Sequence, residues 1–407
     1  MQIQVEYYND TEKELFLEYN NIEDIERIIG NVEIEKEEFF TYLLFTQQCE
    51  RDGLRNYKDF SKLKDIPLPL FDKFFDIDNS IKAIVIGKHN YKDFVERIGV
   101  SLSLCVMNEL HNTHHADWQK VPETNFKKTL DFLLASDANR FIEVESKGTT
   151  NNDNSKKTPS VINQFRKIKD KKKQLRSENL TYEIKGNNLA YGVVSVLDNR
   201  EDSIARCLLV DPIANNDIMS PRKYKLLSRL YYYYYEMFEI SPYSNLTLLL
   251  KNRIQVLEKL IDIEQLNNVP LVDSKGEPLY YRNNSYSSSS VIKDKKTYFE
   301  THNTNKVIGR VYPYVGRRFL YIGLLEEIFE MLMRQNFDEI ISYKTNYRTL
   351  GETLIWRLTK RDAKEFNIEW AFYEFEQLYR KGNNIEIPLS INSVYSSSGK
   401  IFGLISI

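Results

Sequence analysis

The chain has 407 residues, 42% of them hydrophobic, and a formal net charge of −2 at pH 7. That is enough apolar side chain for about two or three domains, and too little net charge to attract nucleic acid through the overall field. Three widely spaced cysteines, Cys49, Cys105 and Cys207, suit neither a disulfide framework nor a CxxC metal site, and point to a reducing cytoplasm.

The opening MQIQVEYYND lacks a basic stretch followed by an apolar run, so no leader is expected. Residues 1–80 are acidic and mixed, with helix-like stretches at Glu23 to Ile29 and Glu37 to Arg51 and a turn-rich Ile66-Pro67-Leu68-Pro69-Leu70. They read as an N-terminal accessory region. A central domain over 81–215 begins with a β-branched strand, Ile81 to Ile86, and a helix from Lys92 to near Glu109. Two strands around Leu130 to Lys147 follow, then a basic helix from Pro159 to Leu175 and strands Ala190 to Leu197 and Ile204 to Val210, stopped at Asp211-Pro212. Alternating strands and helices predict an α/β fold, a mixed sheet covered by helices.

Residues 216–407 read as a mainly helical C-terminal region, with helices at Pro221 to Ile240, Arg318 to Arg334, Leu350 to Leu358 and Ile368 to Tyr379. Glu326 and Glu327 interrupt its most apolar stretch, Phe319 to Met333, so no membrane span is expected. Asn283 to Ser290 reads as a loop, and Leu389 to Tyr395 with Ile401 to Ile407 as a closing hairpin around a Ser-Ser-Ser-Gly turn. The 13% aromatic content fits a compositional bias more simply than base-stacking surfaces.

The chemistry concentrates in the central hairpin. If it is symmetric about Ala138, Asp131 lies opposite Glu145 with Cβ atoms about 5 Å apart. Alternation then puts Glu143, Glu145 and Lys147 on one face, with Ile142 and Val144 behind. Facing carboxylates repel unless a cation sits between them, and Mg²⁺ suits two carboxylates, water and a substrate phosphate. Lys147 would stabilise charge on the phosphate or orient the attacking water.

These residues resemble the PD-(D/E)xK nuclease superfamily, with Asp131 as the metal Asp and Glu145-Ser146-Lys147 as the (D/E)xK element; Leu130 stands where the name has Pro. The resemblance covers roughly Val95 to Pro212. It implies a restriction-endonuclease-like fold, Mg²⁺ with Mn²⁺ as substitute, DNA as substrate, and a microbial defence role, alone, as a homodimer or with a partner subunit. Glu109 lies on the apolar stripe of its helix with Ile98, Leu102 and Cys105, and the resemblance makes it a third metal ligand. Gln164 resembles the glutamine of some branches, although the aromatic residue expected four positions later is Ile168. Lys156, Lys157, Arg166, Lys167, Lys169, Lys171, Lys172 and Lys173 give a cation density suited to phosphates.

Three other readings compete. A retaining glycosidase would also use two close carboxylates, but Lys147 and the basic helix favour phosphate. A nucleic-acid-binding or scaffold module without cleavage would need no intact Asp131, Glu145 and Lys147. His111, His114 and His115 with Asp117 suggest zinc, a DNA contact or a polar loop, and lack the Glu of HExxH. No phosphate loop is present, because Gly87-Lys88 has no glycine five positions upstream.

Overall fold

The computed structural model describes residues 1–45, 57, 92–119, 134–153, 155–178, 188–198, 204–215, 220–240, 244–260, 263–268, 298–301, 307–314, 318–346, 348–365 and 368–406. The expected strand at 81–86 and the loop at 283–290 lie outside them. The chain divides into two compact units, residues 1–53 with 65–228, and 54–64 with 229–407.

The first unit is built on a six-stranded mixed sheet ordered β2-β1-β6-β5-β4-β3. Its strands are β1 (Gln2–Tyr7), β2 (Gly30–Glu33), β3 (Leu134–Ser136), β4 (Phe141–Asn151), β5 (Asn188–Asp198) and β6 (Ala205–Asn215). β1 runs parallel to β6 and β4 parallel to β5, while β1 with β2, β5 with β6 and β3 with β4 are antiparallel.

The first 45 residues therefore contribute two strands to this sheet, and a boundary at residue 80 does not separate them from it. β1 alternates as a strand should, with Ile3 and Val5 buried and Gln2 and Gln4 turned away. Helices α1 (Asp10–Tyr19), α2 (Ile22–Glu26) and α3 (Lys36–Phe45) follow. Asn9 caps α1 by accepting from the Glu12 N–H, and Asn21 caps α2 through the Glu23 N–H. At the other end of the unit, β6 continues beyond Asp211-Pro212, where its pairing with β5 slips by one residue between Ala190/Ile213 and Gly192/Val210. A bulge is where a strand accommodates proline, because the missing N–H costs no ladder bond there.

Two helices position the central strand. Helix α4 (Lys92–His111) covers one face so closely that a Cβ on Gly99 would lie 2.8 Å from the Gly148 Cα, and one on Gly148 would clash with the Val95 carbonyl. Ser103 and Ser146 meet on that face at 2.6 Å, and Ser195 donates to the Gly99 carbonyl at 3.2 Å. Gly148→Ala should therefore destabilise the unit by about 1–3 kcal/mol through backbone displacement, visible as a lower urea midpoint. An unchanged midpoint would mean that α4 and β4 can separate freely.

Helix α5 (Pro159–Glu178) covers the opposite face and starts with Pro at its first position, where no N–H is needed. Val161 and Ile168 pack with Val194, Val196, Leu208, Val210 and Tyr8, whose ring stacks on Phe165 at 3.7 Å. Gly192 makes room for this helix, since a Cβ there would lie 2.6 Å from the Ile168 side chain.

The second unit contains a seven-stranded antiparallel sheet, so the C-terminal region is mixed rather than mainly helical. Helix α6 (Pro221–Ile240) leads into α7 (Asn245–Lys259), β7 (Tyr298–Thr301), β8 (Val307–Pro313), β9 (Arg318–Leu325), α8 (Glu326–Arg334), α9 (Phe337–Ser342) and β10 (Arg348–Thr359). Next come α10 (Lys360–Glu365), α11 (Glu369–Tyr379), β11 (Arg380–Lys381), β12 (Asn384–Tyr395) and β13 (Lys400–Ser406). The order is β10-β7-β8-β9-β13-β12-β11, and the sheet curls until β10 also pairs with β12, from Arg348↔Tyr395 to Thr359↔Asn384.

Two expected helices change type. The stretch at 350–358 is strand β10, and 318–334 is strand β9 followed by α8. The closing hairpin forms as expected, with Tyr395 opposite Ile401. Its serine turn is internal: Ser396, Ser397 and Ser398 are buried, the Tyr233 hydroxyl donates to the Ser398 carbonyl at 3.0 Å, and Gly399 takes φ +77°.

Candidate active site

The hairpin that carries the motif is antiparallel, with Leu134 opposite Glu143 and Ser136 opposite Phe141. Its midpoint falls between Ala138 and Asn139, half a residue from the symmetry about Ala138 expected from sequence. Asp131 lies outside the described residues. The turn is held by Asp137, whose carboxylate accepts from the Asn139 and Arg140 N–H groups at 2.8 and 2.7 Å, while Ala138 takes φ +83°.

Asp137 also faces His111, 3.8 Å from the ring Nδ1. Burial alone would raise the Asp137 carboxyl, but the His111 imidazole and the two turn amides outweigh it and hold the group at about 2. Burial pushes His111 itself below its ordinary range. The Tyr191 hydroxyl donates to Asn20 Oδ1 at 2.7 Å and lies 3.0 Å from His111 Nε2.

The depressed Asp137 group stabilises the fold above the ordinary carboxylate range, and this contribution, about 2 kcal/mol, is lost as pH falls through about 2. Urea midpoints compared at about pH 5 and about pH 2 should differ less in Asp137→Asn than in wild type. Equal differences would remove Asp137 from the acid limb.

Glu145 sits on β4 with its side chain fully buried. Ser146 points to α4, so alternation turns Glu145 and Lys147 to the face covered by α5. Lys147 Nζ lies 2.8 Å from Glu145 Oε1. From α5, Lys171 brings its Nζ to 3.4 Å from Oε1 and 3.3 Å from Oε2. One carboxylate thus holds two ammonium groups whose side chains are 14% and 16% exposed. Glu145 and Lys147 share a face as expected.

Lys171, one of the cations expected to meet phosphate, lies beside Glu145 within the site. It follows Ile168 by three residues, so it borders the buried stripe. Gln164, half-buried, lies seven residues before it on the same side of α5. Glu109 does not join the cluster: it is exposed, and α4 covers the sheet face opposite to that of Glu145. Helical spacing placed it on the apolar stripe, but Asn108, Leu110 and His111 around it are buried while Glu109 is turned outward.

Much of the basic segment is engaged within the fold. Lys169 pairs with buried Glu12 at 3.2 Å, Lys157 donates to the Tyr8 carbonyl, and Lys172 is buried. Lys156 lies 3.6 Å from Asp153. Arg166, Lys167 and Lys173 present exposed side chains on α5.

The histidines are internal too. His111, His114 and His115 are at most 5% exposed, and His114 caps the turn His115–Asp117 by accepting from the Ala116 N–H at 3.2 Å. Neither a DNA contact nor a polar loop at a site mouth fits that burial. Among the described residues no group of three His, Cys, Asp or Glu side chains is placed to hold a metal. Comparison with family models, curated proteins and solved structures gives no match to this chain.

Proposed function

We propose that this chain is a Mg²⁺-dependent nuclease that hydrolyses phosphodiester bonds of DNA, in a microbial defence or restriction-type role. The observation that carries the reading is the Glu145–Lys147 pair on one face of β4, within the order α4, β3, β4, α5, β5 that the resemblance to PD-(D/E)xK nucleases implies.

Glu145 offers one buried hard-oxygen donor, and Asp131 would be the second. When bound, Mg²⁺ would acidify water and neutralise phosphate charge. The chain's own residues supply the rest. Lys147, tethered to Glu145, fixes an ammonium beside the phosphate oxygens where negative charge grows in the transition state. The buried wall of α5 and β5 behind the pair excludes water and strengthens that attraction. Arg166, Lys167 and Lys173 would meet the strand's phosphates along α5.

A non-catalytic nucleic-acid-binding subunit is the second reading. It is favoured by one observation, that both Glu145 oxygens already face ammonium groups. Supercoiled, linear and single-stranded DNA, and RNA, incubated with the purified chain separate the two. Cleavage that requires Mg²⁺ or Mn²⁺ supports the nuclease; binding without cleavage of any substrate supports the subunit. A cytoplasmic setting and assembly as a homodimer or with a partner subunit belong to the same proposal.

A further inference from the structure

Among the described residues two ammonium groups approach Glu145, and its own strand supplies one of them. Lys147 approaches a single oxygen at 2.8 Å, whereas Lys171 comes from α5 and lies almost equally far from both, at 3.3 and 3.4 Å. An ammonium astride both oxygens opposes any divalent cation there, because like charges a few ångströms apart repel strongly where water is largely excluded.

Lys171 is also the partner better placed to leave. Its two distances to Glu145, 3.3 and 3.4 Å, are longer than the 2.8 Å of Lys147. Exposed Lys167 sits one helical turn before it, so an incoming phosphate would reach this edge of the site first. A phosphate offers Lys171 a second anion in place of the carboxylate.

We infer that Lys171 is a phosphate-binding residue of the site that occupies Glu145 until nucleic acid draws it away, so that metal and DNA bind with positive coupling. The inference rests on the reading of Glu145 as a metal ligand. By linkage, each ligand should raise affinity for the other by the same factor. The coupling is a plain exchange of ion pairs, with no bond made or broken.

Mn²⁺ binding to the full chain, followed by the electron paramagnetic resonance signal of the free ion, tests this without any cleavage step. Without DNA, K171M and K171Q should each bind Mn²⁺ about tenfold more tightly than wild type, while K171R should stay within about twofold of it. Without metal, K171M should bind a phosphorothioate DNA duplex more weakly. Adding that duplex should tighten Mn²⁺ binding to wild type more than to K171M.

Equal Mn²⁺ affinities for wild type, K171M and K171Q overturn the proposal. E145Q then locates the failure. If E145Q loses Mn²⁺ binding, only the role of Lys171 falls; if E145Q binds as wild type does, the assignment of Glu145 as a ligand falls with it.

Discussion

Glu145→Gln is expected to reduce Mg²⁺-dependent DNA cleavage by at least about 10³-fold, equivalent to about 4 kcal/mol of transition-state stabilisation, with the fold retained. The substitution is nearly isosteric and keeps one carbonyl oxygen facing the ammonium groups that lie 2.8 to 3.4 Å away. It removes the negative charge that a divalent cation needs. Lys147 and Lys171 lose an ion-pair partner, but with side chains 14% and 16% exposed they can extend their ammonium groups towards water. Stability should therefore fall much less than activity. Initial rates and thermal unfolding measured on the same preparation check both halves, and a variant rate within about tenfold of wild type would sink the nuclease reading.

Lys400→Met should have the largest effect on stability, about 3–5 kcal/mol in the second unit. Lys400 and Glu236 are sealed from solvent, with Nζ 2.7 Å from Oε1. The Tyr57 hydroxyl donates to both Glu236 oxygens at 2.8 and 3.0 Å, and the Lys400 ammonium stands 4.7 Å from the Tyr57 ring centre. Removing the lysine leaves a carboxylate in the interior without its countercharge, a costly arrangement because water cannot reach it. The double change Lys400→Met with Glu236→Leu removes both charges and should recover most of the loss. Urea titrations of the two singles and the double form the cycle. A Lys400→Met loss below about 1 kcal/mol would show that the pair is hydrated or dispensable.

What the sequence revealed follows the range of the forces involved. Phe141 to Lys147 alternates cleanly, and Val161, Ile168 and their neighbours repeat at helical spacing, so β4 and α5 were legible from local pattern alone. The turn at Asp137 was legible as well, because its polar residues suit a tight reversal. Leu350, Leu354 and Leu358 imitate a helix at spacing four, yet twelve residue pairs with β12 hold that stretch extended, so tertiary pairing overrides the period. Arg318 to Leu325 is apolar on both faces, and periodicity cannot distinguish a buried strand from a buried helix. Around Glu145, the strand motif identified Lys147 but not Lys171, whose approach depends on how α5 rotates over the sheet. The strand at Ile3 and Val5, whose partner lies far along the chain, was not read from the sequence at all.

That partnership has a consequence for how the protein is made. β1 is hydrogen-bonded to β2 on one side and to β6 on the other, with Ile3 opposite Ala205. At a synthesis rate of about 5–20 residues per second, β1 emerges some tens of seconds ahead of the strand that covers its inner edge. Until then that edge displays unpaired amide and carbonyl groups beside Ile3 and Val5, a template on which other chains can align. Slow translation would thus be a hazard for this protein, and a holdase that shields β1 on the ribosome should raise its soluble yield more than one acting after release.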